Sequence, residues 1–118
     1  MAERRKRVMP LKDKARARLA TSLAGYALDV PLSSVEDDGR DAGASFARKV
    51  AMYLASVVFG MSLARVAAAF GRDRSTVGHA CRCIEDMRED ARFDTWMEAL
   101  ERSAAEAPSP FVNVRSPA

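Results

Sequence analysis

Gly71 stands between two short segments whose apolar residues recur at helical spacing, and this limits the chain's fold more than any other feature. Before it, "LARVAAAF" carries Leu63, Val66 and Phe70 along one edge; after it, Val77, Cys81, Ile84 and Met87 form a second stripe. Ser62 has the right chemistry to cap the first segment, and a glycine directly after it supplies the left-handed residue that commonly closes a helix. A second helix, from about Arg74 to Arg88, must then leave in a new direction after a short turn. Composition points the same way. Hydrophobic residues are 48% of the 118, aromatics only 7%, and alanine is abundant, which suits close-packed helices better than a sheet. The expected class is all-α, a compact helical bundle in one small domain.

The remaining pattern supplies the other helices. Leu11 to Leu28 reads as one helix, with Leu19, Leu23, Tyr26 and Ala27 at helical spacing and Pro10 near its start, where proline is tolerated. "DVPLSSVEDDGRDAGAS" interrupts it as a loop, with one short helical turn at Leu32 to Val35. Ser45 is the expected cap of a helix through about Phe59, with Val50, Tyr53, Leu54 and Val57 inward and Gly60 as its stop. A last helix begins near Asp90, carries Phe93, Trp96, Met97 and Leu100 inward, and frays after Ala105 into a proline-rich end. The expected division is a basic, flexible arm at 1–10, a folded domain at 11–105 and a disordered tail at 106–118.

Several function classes are disfavoured. The apolar run from Val50 to Val66 is broken by Ser56, Gly60, Ser62 and Arg65, so no membrane span is expected. The basic N-terminus lacks the apolar stretch of a secretory signal, so a cytoplasmic chain is expected. The two cysteines, Cys81 and Cys83, are too few for a disulfide framework and are expected as thiols. No glycine is followed by lysine, so the phosphate-cradling loop of nucleotide hydrolases is missing and no nucleotide cofactor is expected. His79 and Cys83 share a helical face, but a zinc site needs more ligands than these, so no metal is expected. Ser75 and His79 lack an orienting acid, and no enzymatic role is assigned. Trp96 and Phe93 read as core.

What remains is charge. Arg4 to Arg18 holds eight basic side chains against Asp13 alone, although the net formal charge is only +3. The stretch "FGRDRSTVGHACR", Phe70 to Arg82, puts Arg72, Asp73, Arg74, Ser75, Thr76, His79 and Arg82 around the front of the helix after the turn. This is the layout of a helix-turn-helix, whose second helix enters the major groove by its N-terminal residues. Arginine can pair with phosphate or fork onto guanine, and the threonine methyl can touch thymine. The residues by themselves also allow a capped surface helix facing water.

The segment Phe46 to Asp90 resembles the C-terminal DNA-binding domain of bacterial DnaA replication initiators. Phe70, Gly71, Arg72, Asp73, Ser75, Thr76, Val77, His79, Ala80, Cys81 and Arg82 follow that family's signature in order. The resemblance implies a Trp-repressor-like helix-turn-helix that reads short duplex sites, the DnaA boxes. It implies base contacts from Asp73, Ser75, Thr76 and His79, and backbone phosphate contacts from Arg48 and Lys49. Double-stranded DNA, through the major groove and the phosphate backbone, is the implied partner, in a nucleoid-associated regulator of transcription or replication initiation. The chain departs from the family at Arg74, where histidine is usual, at Gly78, where a large aliphatic residue is usual, and at Cys83, where lysine is usual. The family's basic loop is replaced by "EDDGRDAGAS", with Arg40 its only cation. The chain is expected to act as the binding domain alone. The alternative is a protein-protein interaction module that kept the fold and lost DNA affinity.

Overall fold

The structure is a computed structural model that describes residues 2–36 and 41–109, with side chains from Lys12 onward. Six helices follow in order: α1 (Ala2–Leu28), α2 (Leu32–Glu36), α3 (Ala42–Val57), α4 (Leu63–Phe70), α5 (Arg74–Met87) and α6 (Ala91–Glu106). No strand occurs among the described residues. The all-α expectation is met.

α3 is the axis of the domain because it is buried on more than one side. Ala47, Val50, Ala51, Tyr53 and Leu54 meet Ala20 and Ala24 of α1, Val35 of α2, Ile84 of α5, and Met97 and Leu100 of α6 in the main core. Ala20 and Ala24 on α1 and Ala47 and Ala51 on α3 take up little room and let the two helices pack closely. Met52 and Ala55, on another side of α3, join Met61, Val66, Ala67, Val77 and Ala80 in a second cluster. This smaller core lies under α4 and α5 and fixes their relative orientation.

Local signals account for several helix ends. The Ser62 hydroxyl accepts from the Arg65 N–H at 3.2 Å, so Ser62 caps α4 as its sequence implies. Gly71 closes α4 at φ 65° and ψ 40°, the left-handed conformation that a side chain disfavours. Asp90 caps α6, accepting from the N–H groups of Arg92 and Phe93 at 2.9 and 3.1 Å.

Four details differ from the sequence reading. The cap of α3 is Asp41, which accepts from Ala44 N at 3.0 Å, and Ser45 lies inside the helix. Val57 and Met87, expected inward, are 50% and 42% exposed, because each is the last residue of its helix and lies beyond the neighbours that cover the stripe. α1 starts at Ala2, so Pro10, expected near the helix start, falls inside the helix. The residues ahead of Pro10 are mostly good helix formers, and the proline removes only one donor from the ladder. α6 stops at Glu106, close to the expected Ala105; the segment 110–118 and the loop 37–40 lie outside the described residues.

Two ion-pair systems join elements distant in sequence. Arg65 of α4 grips Asp13 of α1 with both arms of its guanidinium, Nε to Oδ2 at 3.0 Å and Nη2 to Oδ1 at 2.7 Å. Arg88, just after α5, donates to Glu101 and Asp94 of α6 and to the Tyr53 hydroxyl of α3.

Gly78 provides a test of the packing beneath α5. It is buried within the helix, yet a Cβ built there would sit 3.6 Å from Arg82 Nη1 and 3.8 Å from Leu63 Cδ1, both ordinary contacts. Gly78→Ala is therefore expected to stabilise the protein by about 0.5–1 kcal/mol through the helix preference of alanine. Urea denaturation checks it, and a loss of stability would mean that Leu63 cannot accommodate the methyl.

Candidate nucleic-acid interface

The front of α5 is presented to solvent because its back is fully used. Val77, Gly78, Ala80 and Ile84 are buried against α3 and α4, which leaves the intervening positions outward. Arg74, Ser75, Thr76, His79 and Arg82 are all exposed. Thr76 and His79, three residues apart, fall on one face, as do His79 and Arg82. Arg82 runs beside Gly78, where the missing side chain leaves its guanidinium room close to the helix. His79 Nε2 lies 3.4 Å from Cys83 Sγ one turn on.

The turn Gly71–Asp73 sets the start of this surface. The Arg72 N–H donates to the Ala67 carbonyl at 3.0 Å, which closes α4 and directs the chain into α5. Asp73 occupies the cap position of α5 but makes no side-chain capping bond, so its exposed carboxylate is not used to hold the helix end. The positive end of the α5 dipole and Arg72 and Arg74 nearby give the helix start an anion-attracting character.

Arg48 and Lys49 are placed differently from the expectation. They lie in the second turn of α3, one turn deeper than a helix starting at Ser45 implies. Arg48 Nη1 donates to the carbonyls of Ser34 and Val35, both at 3.2 Å, and so ties the last turn of α2 to α3. It also lines a cleft of about 310 Å³ together with Arg72. Lys49 is half-buried and does not line that cleft. The sequence reading overlooked Lys14 and Arg18 of α1 as individual residues, which line the same cleft. Their signal was the basic run from Arg4 to Arg18, which does not distinguish one cation from the next.

Little suggests other chemistry among the described residues. No group of three or more His, Cys, Asp and Glu is arranged to hold a metal. Cys81 and Cys83 are free thiols, and burial, with help from Glu85, pushes the Cys81 thiol upward, away from the reactive thiolate. Among the described residues, no helix is long and apolar enough to cross a membrane.

A short helix capped by serine, a glycine turn and an exposed polar helix front over a shared core define a helix-turn-helix domain. The profile of the bacterial dnaA protein helix-turn-helix matches residues 26–84, and the chain belongs to that family. It is 30% identical over 105 residues to chromosomal replication initiator protein DnaA 2 of Chlamydia trachomatis serovar D, covering 87% of this chain and 23% of that one. It is 39% identical over 77 residues to the chromosomal replication initiator protein DnaA of Aquifex aeolicus, covering 64% of this chain and 19% of that protein. The chain thus spans less than a quarter of the length of these relatives. The crystal structure of a DNA replication initiation factor superposes with a TM-score of 0.74 at 31% identity, over 89% of this chain and 32% of that one. A replication initiator DnaA bound to AMPPCP and single-stranded DNA superposes with a TM-score of 0.71 at 31% identity, over 88% of this chain and 31% of that one.

Proposed function

We propose that this domain binds double-stranded DNA sequence-specifically, with α5 in the major groove, and that it regulates replication initiation or transcription at DnaA-box-like sites in the cytoplasm. The observation that carries this reading is the continuous exposed row Arg74, Ser75, Thr76, His79 and Arg82 on a helix whose opposite side is buried. Hydroxyl, imidazole and guanidinium groups there suit base edges, while Arg72 beside the turn and Lys49 on α3 suit backbone phosphates. Arg48 keeps a part in phosphate binding through the cleft it shares with Arg72, although one of its nitrogens already serves α2.

Arg74 is the residue that bears most on the preferred site. It is the first residue of α5 and exposed, and its fork matches guanine O6 and N7 in a way that the family's usual histidine does not. The preferred sequence therefore differs from a standard DnaA box at one or two adjacent positions.

Gel shifts on mixed duplex DNA across a salt series, followed by binding-site selection with wild type and Arg74→His, test the proposal. The affinity should fall with salt by a log-log slope of about 0.9 per phosphate neutralised, and the selected site should shift between the two proteins. No affinity for any duplex would instead support an interaction module. Identical preferences with uniformly weaker binding would move Arg74 from a base to a phosphate.

A further inference from the structure

The cleft between α1 and the start of the helix-turn-helix is lined by four cations from three separate elements. Lys14 and Arg18 come from α1, Arg48 from α3 and Arg72 from the turn before α5, and among the described residues Glu36 is the one acid on the lining. Its apolar lining is Ala17, Val35, Met52, Ala69 and Phe70. We infer that this cleft seats a phosphate of the DNA backbone, and that Lys14 and Arg18 of α1 extend the binding surface beyond the helix-turn-helix. The inference rests on the reading of the domain as a duplex binder and adds a specific site to it.

The placement of α1 is the first argument. The only acid among the cations of the Arg4–Arg18 run is Asp13, and it is 7% exposed and held by both arms of Arg65. This pair docks α1 on α4, the first helix of the helix-turn-helix. Lys14 follows Asp13 directly, and Arg18 lies one turn further along, so the anchor sets where both cations stand. A basic helix that served only solubility has no need of such a fixed position relative to the DNA-facing element.

Charge and shape supply the second. An anion with several acceptor oxygens suits a concavity to which three elements bring cations. Phosphate accepts charge-assisted hydrogen bonds from Lys and Arg together. The third argument is adjacency. Arg72 belongs to the cleft and is two residues from the start of α5, so an anion seated there lies beside whatever α5 engages.

The double variant Lys14→Ala/Arg18→Ala, made in the full chain, tests the inference. Both side chains are exposed, so circular dichroism and Tm should match wild type. Affinity for specific and mixed duplex should fall alike, by about tenfold, and the salt slope should flatten by roughly 1–2 with the site preference intact. Lys12→Ala, an exposed α1 cation outside the cleft, should leave the slope unchanged. If wild type binds duplex and the double variant keeps its slope, the cleft assignment is overturned while DNA binding stands. If wild type binds no duplex, both fall. A parallel titration with inorganic pyrophosphate separates the two sources of phosphate: pyrophosphate binding that the double variant abolishes, with duplex binding untouched, would overturn the assignment to DNA.

Discussion

Arg88→Ala will destabilise the domain by about 2–4 kcal/mol and lower its Tm by roughly 10 °C or more. Arg88 lies just beyond α5, where it makes contact with three structural groups at once. Nη1 donates to Glu101 at 2.7 Å and to the Tyr53 hydroxyl at 3.2 Å, and Nε donates to Asp94. Its guanidinium also stands 5.9 Å from the centre of the Tyr53 ring. Glu101, then Asp94 and Tyr53, outweigh the desolvation of the group and hold it protonated more firmly than a free arginine. The side chains of Arg88 and Glu101 are only 18% and 21% exposed, so removing the cation leaves a carboxylate with little water to replace it. Asp94, at 39%, is better solvated and loses less. Lysine has one point of charge where arginine has a planar fork, so Arg88→Lys should recover less than half of the loss. Thermal denaturation of the three proteins decides the matter; a Tm within about 3 °C of wild type for Arg88→Ala would show the network to be dispensable.

The paired substitution Thr76→Ala/His79→Ala is expected to reduce discrimination between preferred and mixed duplex by about 30-fold at least and up to about 25,000-fold, at roughly 1–3 kcal/mol for each of the two lost base contacts. Both residues are exposed on α5, and neither contributes to either core cluster. Stability should therefore change by no more than about 0.5 kcal/mol, since alanine is also the better helix former. The salt dependence should persist, because the phosphate-facing cations remain. A variant that still enriches the wild-type site in selection would remove Thr76 and His79 from the groove-facing set. The Cys83 thiol near His79 adds a further detail. If His79 reads a base, its ring must turn from the 3.4 Å contact with Cys83 or use its other nitrogen.

The helix-turn-helix was the most legible part of the chain because its signals are local. Ser62 three residues before Arg65, Gly71 at a left-handed position, and Val66, Val77 and Ile84 at helical spacing each act within a turn or two of backbone. A resemblance strongest over Phe46–Asp90, and weaker from Leu11 and through Leu100, adds the family to that reading, and its signature lies in the same short segment. Helix ends were less legible where two polar residues compete for one cap. Asp41 and Ser45 are both capable of capping α3, and Asp41 does so.

Tertiary structure alone decided the long-range pairings. Asp13 and Arg65 are 52 residues apart, and nothing in either neighbourhood marks them as partners. Arg48 reads from its sequence as a surface cation, whereas the packing of α2 on α3 brings it to the carbonyls of Ser34 and Val35. Arg88 reaches Tyr53 and Glu101 only because α3, α5 and α6 share one core. Likewise, the cleft has no counterpart in any one stretch of sequence, since α1, α2, α3, α4 and the turn each supply part of its wall. Periodicity and caps determine where the backbone of this protein is helical, because those forces act between near neighbours along the chain. Which cations converge, and which carboxylate is buried to hold them, depends on how the helices meet, because a side chain finds its partner through space.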